Sequence, residues 1–245
     1  MQSASALTFD EMQQLSYKEV KGSGRAALCP TVDMPSIDVK DMKPGSYQMV
    51  RFCMEPTSFE IKEEGKGAAE WVPSKLLTRL TYTLSEMSGK LDVAKDGQLH
   101  LKEEEGGFDF NVVTVKVPKG EEFPLMFSIK DLDVKGTPDG MEGSFKVPGY
   151  RGTSFMDPRG RGPATGYDAF QGLQAAESGD PEDLARQNRK RIAVTDGAAQ
   201  FAVAQVNDLG EIGGVFQTVQ QTSDDMGARD PAEVRVSGIW YAQLE

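Results

Sequence analysis

Arg151, Arg159 and Arg161 stand within the stretch VPGYRGTSFMDPRGRGPATGYDAF, residues 147–170, among glycines, prolines and the aromatics Tyr150, Phe155 and Tyr167. Guanidinium groups are planar, permanently charged and donate two parallel hydrogen bonds, so such a cluster suits recognition of carboxylates or other anions. Glycine allows close backbone approach, and aromatics supply contact area. The alternative is a solvated loop without a partner. Either way the cluster is unusual, because the chain as a whole is acidic, with 38 Asp and Glu against 27 Lys and Arg and a formal charge of −11. That balance argues against nucleic acid as a partner, since phosphate binding needs clustered positive charge.

Other residue sets that imitate reactive sites are weaker. In LDVAKDGQLHLKE, Asp92, Asp96, Gly97 and Glu103 fall at the first, fifth, sixth and twelfth positions of a calcium loop, but the third is Ala94. The flanks alternate as strands where such a loop needs helices, so a hairpin turned at Asp96-Gly97 is expected. His100 is the only histidine and alternates with Leu99 and Leu101, which reads as a surface strand residue. There is no nucleophile elbow, HExxH pair or phosphate-binding glycine loop, so enzymatic chemistry would rest on His100 alone. Carboxylates cluster at Glu63-Glu64, Glu103 to Glu105, Glu121-Glu122 and Asp224-Asp225. They read as solvated turns, with a proton-collecting or weakly cation-holding surface as the sharper alternative.

Cys29 and Cys53 are the only cysteines. With one histidine they cannot build a four-ligand zinc site. A bridge between them would tie the N-terminal region to the first long strand, contribute roughly 3–4 kcal/mol and imply an oxidising compartment. Two buried free thiols are the other reading.

The elements that must carry these residues are mostly strands. At the N-terminus, Thr8 and Glu11 form a capping box opening a short helix over TFDEMQQLSY, with Phe9, Met12 and Leu15 on one side. Period-two alternation then takes over. Leu76, Leu80, Tyr82 and Leu84 share a face of one expected strand. Val113, Val115 and Val117 share another, and Val234, Val236 and Trp240 a third. In EFPLMFSIK, Phe123, Leu125, Phe127 and Ile129 face one way, with Pro124, Ser128 and Lys130 opposite. Further strands are expected at YQMVRFC, SFEI, QLHL, MEGSFKV, QFAVAQV and GVFQTV. About eight to ten short strands indicate a sandwich or a barrel, and closure into a barrel removes exposed edges. Asp180, Pro181 and the terminal Arg189, Lys190 and Arg191 outline a helix, which with the arginine loop forms an insertion over about 148–197. Insertions this long are usually functional or disordered. No apolar run is long enough to span a bilayer. The start lacks a signal peptide's basic and apolar regions, although Ala4-Ser5-Ala6 is like the end of a signal-peptidase site.

At RFCMEPT (51–57), LTRLTYTL (77–84), VPGYRGTSFMDPRGRGPATGYD (147–168) and GIWYAQLE (238–245) the chain resembles the manganese-stabilising extrinsic proteins of photosystem II, the large oxygen-evolving enhancer subunits. LTFDEM (7–12), CPT (29–31) and KPGSY (43–47) extend the resemblance in order from Leu7 to Glu245. It implies an all-β chain: an eight-stranded antiparallel barrel over 47–245 carrying the long loop/helix insertion, preceded by an N-terminal arm over 1–46.

It also implies a non-catalytic subunit in the chloroplast thylakoid lumen, peripheral to the membrane. Such a subunit docks on the reaction-centre and chlorophyll-binding antenna proteins beside other extrinsic subunits. It would bind no cofactor directly, stabilising the Mn4CaO5 cluster and helping to retain chloride and calcium; weak calcium binding by the barrel stays open. Cys29 and Cys53 match the family's disulfide pair. Leu7, Phe9, Met12 and Tyr17 match its binding arm. Arg151, Asp157, Arg159, Arg161, Tyr167 and Asp168 become the partner-binding loop, with the two aspartates pairing the arginines to set its shape. Met156 and Arg159 stand where the family often has Leu and Lys. The 63–70 and 171–197 stretches match poorly and Met1 to Ala6 have no counterpart, so no family role carries over to the basic residues from Arg186 to Arg191, which read as helix-end charge matching, with a second docking patch as the alternative. Without the resemblance, the competing reading is a free-standing barrel that binds a small ligand or cation under the loop.

Overall fold

Alternation of inward apolar and outward polar residues runs through most of the chain, and it closes on itself. The computed structural model describes residues 7–21, 23–64, 69–79, 82–104, 106–151, 154–156, 194–223 and 231–245, with side chains described except at 64, 149–151 and 154–156. Two short helices come first, α1 (Phe9–Gln13) and α2 (Tyr17–Val20). The strands β1 (Gly45–Glu64), β2 (Ala69–Leu76), β3 (Leu84–Val93), β4 (Leu99–Glu104), β5 (Phe110–Lys116), β6 (Glu122–Ser128), β7 (Lys130–Thr137) and β8 (Gly140–Val147) follow. Then come β9 (Gly149–Arg151), β10 (Ser154–Met156), β11 (Thr195–Val206), β12 (Glu211–Gln221) and β13 (Glu233–Leu244).

Strands β1, β3, β4, β7, β8, β11, β12 and β13 pair in that order, and β13 returns to β1, which closes an eight-stranded antiparallel barrel. Its interior is filled by side chains. Met49, Phe52, Met54, Leu91, Leu101, Val134, Met141, Val234 and Val236 are at most 1% exposed or fully buried. Phe201 and Phe216 lie with ring centroids 6.0 Å apart, and Trp240 is tilted against Phe201 at the same distance. Closure leaves no free ladder edge on these eight strands.

Strand β1 is longer than expected, because YQMVRFC and SFEI are one strand of 20 residues. Its first half pairs with β3 and its second half with β2, so the barrel wall forks there and β2, β5 and β6 continue as a three-stranded flap. The single strand expected over Leu76 to Leu84 is therefore not formed at residues 77–79 and 82–83, and Leu80 lies outside the described residues. Leu76 ends β2, Leu84 starts β3, and the intervening Leu77 and Thr78 hydrogen-bond to Thr114 of β5. Two of the three residues of the expected polar face of β6, Ser128 and Lys130, are also buried, while Pro124 is half-buried. Ser128 is fully buried and Lys130, just beyond, is 1% exposed, because the flap folds over one end of the barrel. There the Lys130 ammonium meets the Asp109 carboxylate at 2.8 Å, and Gln220 of β12 donates to the Met126 carbonyl at 2.6 Å. A buried charge needs such a partner, since leaving it unpaired away from water costs on the order of 3–5 kcal/mol.

The calcium-like segment is a hairpin: Gly97 has φ of 84°, and the Gln98 amide donates to the Asp96 carboxylate at 3.1 Å. His100 lies on β4 as expected but is half-buried and bonded to Asp133 at 2.8 Å, so it is not a freely solvated residue. The helix expected around 180–191 lies outside the described residues.

Candidate functional site

Two features set this barrel apart from a plain closed sheet: an N-terminal belt strapped across its outer wall, and an insertion leaving one strand junction. The belt begins with α1, whose capping box is formed as expected. The Thr8 amide donates to Glu11 Oε2 at 3.0 Å, and the Glu11 amide donates to Thr8 Oγ1 at 3.4 Å. The helix is shorter than the sequence pattern suggests, yet Phe9, Met12 and Leu15 are its half-buried side while Asp10, Glu11, Gln13 and Gln14 are exposed. The Phe9 ring lies under the Arg51 guanidinium, 3.9 Å from its centroid. Arg51 sits at a break in the β1 register with φ of 53°, and that bulge turns its side chain out of the ladder toward the arm. The Leu7 carbonyl accepts the Thr31 amide at 2.9 Å, which folds the arm back on itself. Tyr17, by contrast, is 75% exposed.

Residues 27–37 then cross the barrel from β1 to β11. Cys29 and Cys53 form a disulfide, with Cα atoms 5.8 Å apart. Cys29, Val32, Cys53 and Tyr241 pack as a small apolar cluster on the outside of the wall. A carboxylate stands on either side of that cluster, half-buried at Glu55 and buried at Glu211. Glu55 of β1 accepts the Cys29 amide at 2.8 Å. Glu211 of β12 accepts the Asp33 amide at 2.9 Å, the Asn207 side chain at 2.7 Å and the Tyr241 hydroxyl at 2.7 Å. The Ile37 amide closes the crossing on the Val206 carbonyl of β11 at 2.7 Å. Burial pushes the Glu55 carboxyl above its ordinary range, with the Cys29 hydrogen bond opposing it. Burial and then the Glu211 hydrogen bond and charge push the Tyr241 phenol well above its usual value.

The insertion leaves the barrel at Val147 and returns at Thr195, and these two residues are direct partners on β8 and β11. One pair further in, Lys146 and Asp196 form an ion pair at 2.5 Å. The Ser128 hydroxyl donates to the Lys146 carbonyl at 3.0 Å, and Lys146 is registered with Lys130. The root of the insertion is thus held to the buried polar end of the barrel. Just beyond it, β9 and β10 form a small antiparallel ladder in which Arg151 pairs with Ser154. Of the loop residues expected to bind a partner, only the Arg151 backbone is described. Asp157, Arg159, Arg161, Tyr167 and Asp168 lie outside the described residues.

The structure brings Leu7, Phe9 and Met12 onto the arm fold, joins Cys29 to Cys53 and leaves Tyr17 outward. It adds Arg51, Glu55, Glu211 and Tyr241, which sequence reasoning missed. Arg51 and Glu55 sit inside RFCMEPT and Tyr241 inside GIWYAQLE, so motif membership flagged their neighbourhoods but not their roles. For Glu211 no signal existed, because its belt partner Asp33 is 178 residues away. Among the described residues, no group of three or more His, Cys, Asp or Glu side chains is arranged to hold a metal ion. No helix among them is long and apolar enough to cross a membrane.

The described parts are thus a filled barrel, an outer belt locked by a disulfide, and one long segment whose two ends leave from a paired strand junction. Comparison with known proteins makes the class specific. Residues 13–244 match the family described as manganese-stabilising protein / photosystem II polypeptide. The chain is 49% identical to oxygen-evolving enhancer protein 1, chloroplastic, of Chlamydomonas reinhardtii, over 99% of this chain and 84% of that protein. It is 44% identical to the protein of the same name in Triticum aestivum, covering 98% and 73%. It is also 41% identical to photosystem II extrinsic protein O of Thermosynechococcus vestitus, covering 99% and 93%. The chain belongs to the manganese-stabilising protein family, an extrinsic accessory family of photosystem II rather than a family of enzymes.

Proposed function

We propose that the chain is a lumenal extrinsic subunit of photosystem II that stabilises and shields the oxygen-evolving manganese–calcium cluster without ligating it, and helps retain chloride and calcium there. The observation that carries this reading is the family match over residues 13–244. The Cys29–Cys53 disulfide supports an oxidising compartment such as the thylakoid lumen. In this reading the arm and the insertion make the contacts, with the reaction-centre and antenna subunits as partners. The barrel holds the insertion's two ends 147 and 195 in register, so the loop is anchored at its base before it meets a partner. Arg151, Arg159 and Arg161 then donate paired hydrogen bonds to carboxylates and carbonyls of the intrinsic subunits, with Asp157 and Asp168 setting the loop's shape and Tyr167 adding contact area. The competing ligand-binding barrel fits less well, because the interior is occupied by Met49, Phe52, Met54 and Leu91.

The test is rebinding. Arg151→Glu and Arg161→Glu variants should rebind weakly to photosystem II membranes stripped of extrinsic proteins and restore less oxygen evolution. Their circular dichroism should stay that of the unaltered barrel. Wild-type rebinding by both variants would remove the loop's proposed role.

A further inference from the structure

The flap displays two large apolar side chains, Phe108 and Val112, that the core leaves exposed. Along residues 108–113, Asp109 and Val113 turn inward and are buried, while Phe108 and Val112 turn outward and are 64% and 56% exposed. Phe110, between them, is half-buried, packed against the core and 5.1 Å from the buried Lys130 ammonium, measured to its ring centroid. An exposed Phe and an exposed Val, with a half-buried Phe between them, invert the polar face that a solvated strand normally presents.

The backbone that carries Phe108 is held on both sides. Before it, Gly107 has φ of +69°, and a Cβ there would lie 2.1 Å from the Glu86 carbonyl, so only glycine fits. Glu86 itself has φ of 54°, a left-handed conformation that costs a non-glycine residue on the order of 1 kcal/mol or more. At Phe108, the amide and carbonyl both bond to Ser85, at 2.9 and 3.3 Å. After it, the Asp109 carbonyl accepts the Ile129 amide at 3.1 Å, and the Asp109 carboxylate holds buried Lys130. Two left-handed positions and a buried ion pair hold one ring out in water.

We propose that Phe108, Phe110 and Val112 form a second docking edge, which seats in an apolar pocket bordered by Lys or Arg on a lumenal protein surface of photosystem II; this rests on the function proposed above. Two observations select that occupant. The Glu86 backbone lies against Gly107, one residue before Phe108, and the exposed side chains of Glu86 and of Glu104, four residues before Phe108 in the chain, make a basic rim the electrostatic complement of this edge. It is also continuous with the root of the insertion, because Lys130 pairs in register with Lys146, next to the departure point at Val147. Loop and flap would therefore meet the same partner from one end of the barrel.

Stripped photosystem II membranes again provide the assay, with Phe108→Ser and, separately, Val112→Lys. Both side chains are exposed, so each variant should melt like the wild type yet bind at least tenfold more weakly. A photoreactive benzoyl-phenylalanine placed at 108 should cross-link to a photosystem II subunit. Unchanged affinity of both variants while the wild type binds would overturn the docking edge and leave the proposed function standing. Failure of the wild-type chain to bind would overturn both. Cross-linking only between two copies of this chain, with self-association lost in Phe108→Ser, would make the occupant a second copy and overturn it as well.

Discussion

Glu211 is the residue through which the belt can be tested most sharply. Its two carboxylate oxygens accept three hydrogen bonds: from the Asp33 amide at 2.9 Å, and from the Asn207 side chain and the Tyr241 hydroxyl at 2.7 Å each. The site is buried, with Glu211 at 7% and Tyr241 at 1% exposure. Glu211→Ala leaves those donors without their acceptor, and each unsatisfied buried donor costs about 1–3 kcal/mol. Allowing water to reach one of them, the loss should be about 3–5 kcal/mol, which for a chain of this size lowers the melting temperature by roughly 10 °C. Glu211→Gln keeps the shape and an acceptor but loses the charge, so it should cost only about 1–2 kcal/mol. Calorimetry supplies the melting temperatures, and hydrogen exchange reads the belt directly: the Asp33 amide should lose protection in Glu211→Ala before the β12 and β13 amides do. A double-mutant cycle with Tyr241→Phe should show a coupling of about 1 kcal/mol or more, because the two groups share one bond. If Glu211→Ala melts within about 2 °C of the wild type with Asp33 still protected, the carboxylate does not hold the belt and the reasoning fails.

Two further outcomes follow from the same belt. Glu55 has its carboxyl raised by burial, so the fold prefers its protonated form. Its favourable contribution is therefore complete below the ordinary carboxylate range and is lost as pH rises through the raised value. Glu55→Gln keeps an acceptor for the Cys29 amide, so its denaturation midpoint relative to the wild type should rise between pH 4 and pH 7, and a flat difference would refute this. Cys29→Ser with Cys53→Ser opens a bridge of sequence separation 24 and should cost about 3.5 kcal/mol of stability in chemical denaturation, with no further loss on adding reductant.

Much of the fold was legible along the chain, because its signals are local. Thr8 and Glu11 announce α1 within four residues, Asp96-Gly97 announces a hairpin, and the alternation of Val113, Val115 and Val117 or of Val234, Val236 and Trp240 sorts inside from outside. The motif strings carried the family as well, and with it the pairing of Cys29 with Cys53. Where the sequence misled, a neighbouring element had overridden the local pattern. Leu76 to Leu84 alternates like a strand, but the fork of β1 requires the chain to cross there from one half of that strand to the other. Ser128 and Lys130 read as a polar face, but the flap folds them under, and Asp109 makes a buried lysine tolerable.

What the sequence determined by itself, then, is most of the strands, the larger part of the inward set of side chains and the kinship of the chain, since each is written in residues near one another. The tertiary structure alone decided that Glu55 and Glu211 grip the belt, that Arg51 covers Phe9, and that Phe108 is held outward. Each of these depends on groups brought together from separate stretches of the chain, as Glu211 and Asp33 are across 178 residues, and hydrogen-bond geometry over such a span leaves no periodicity to read.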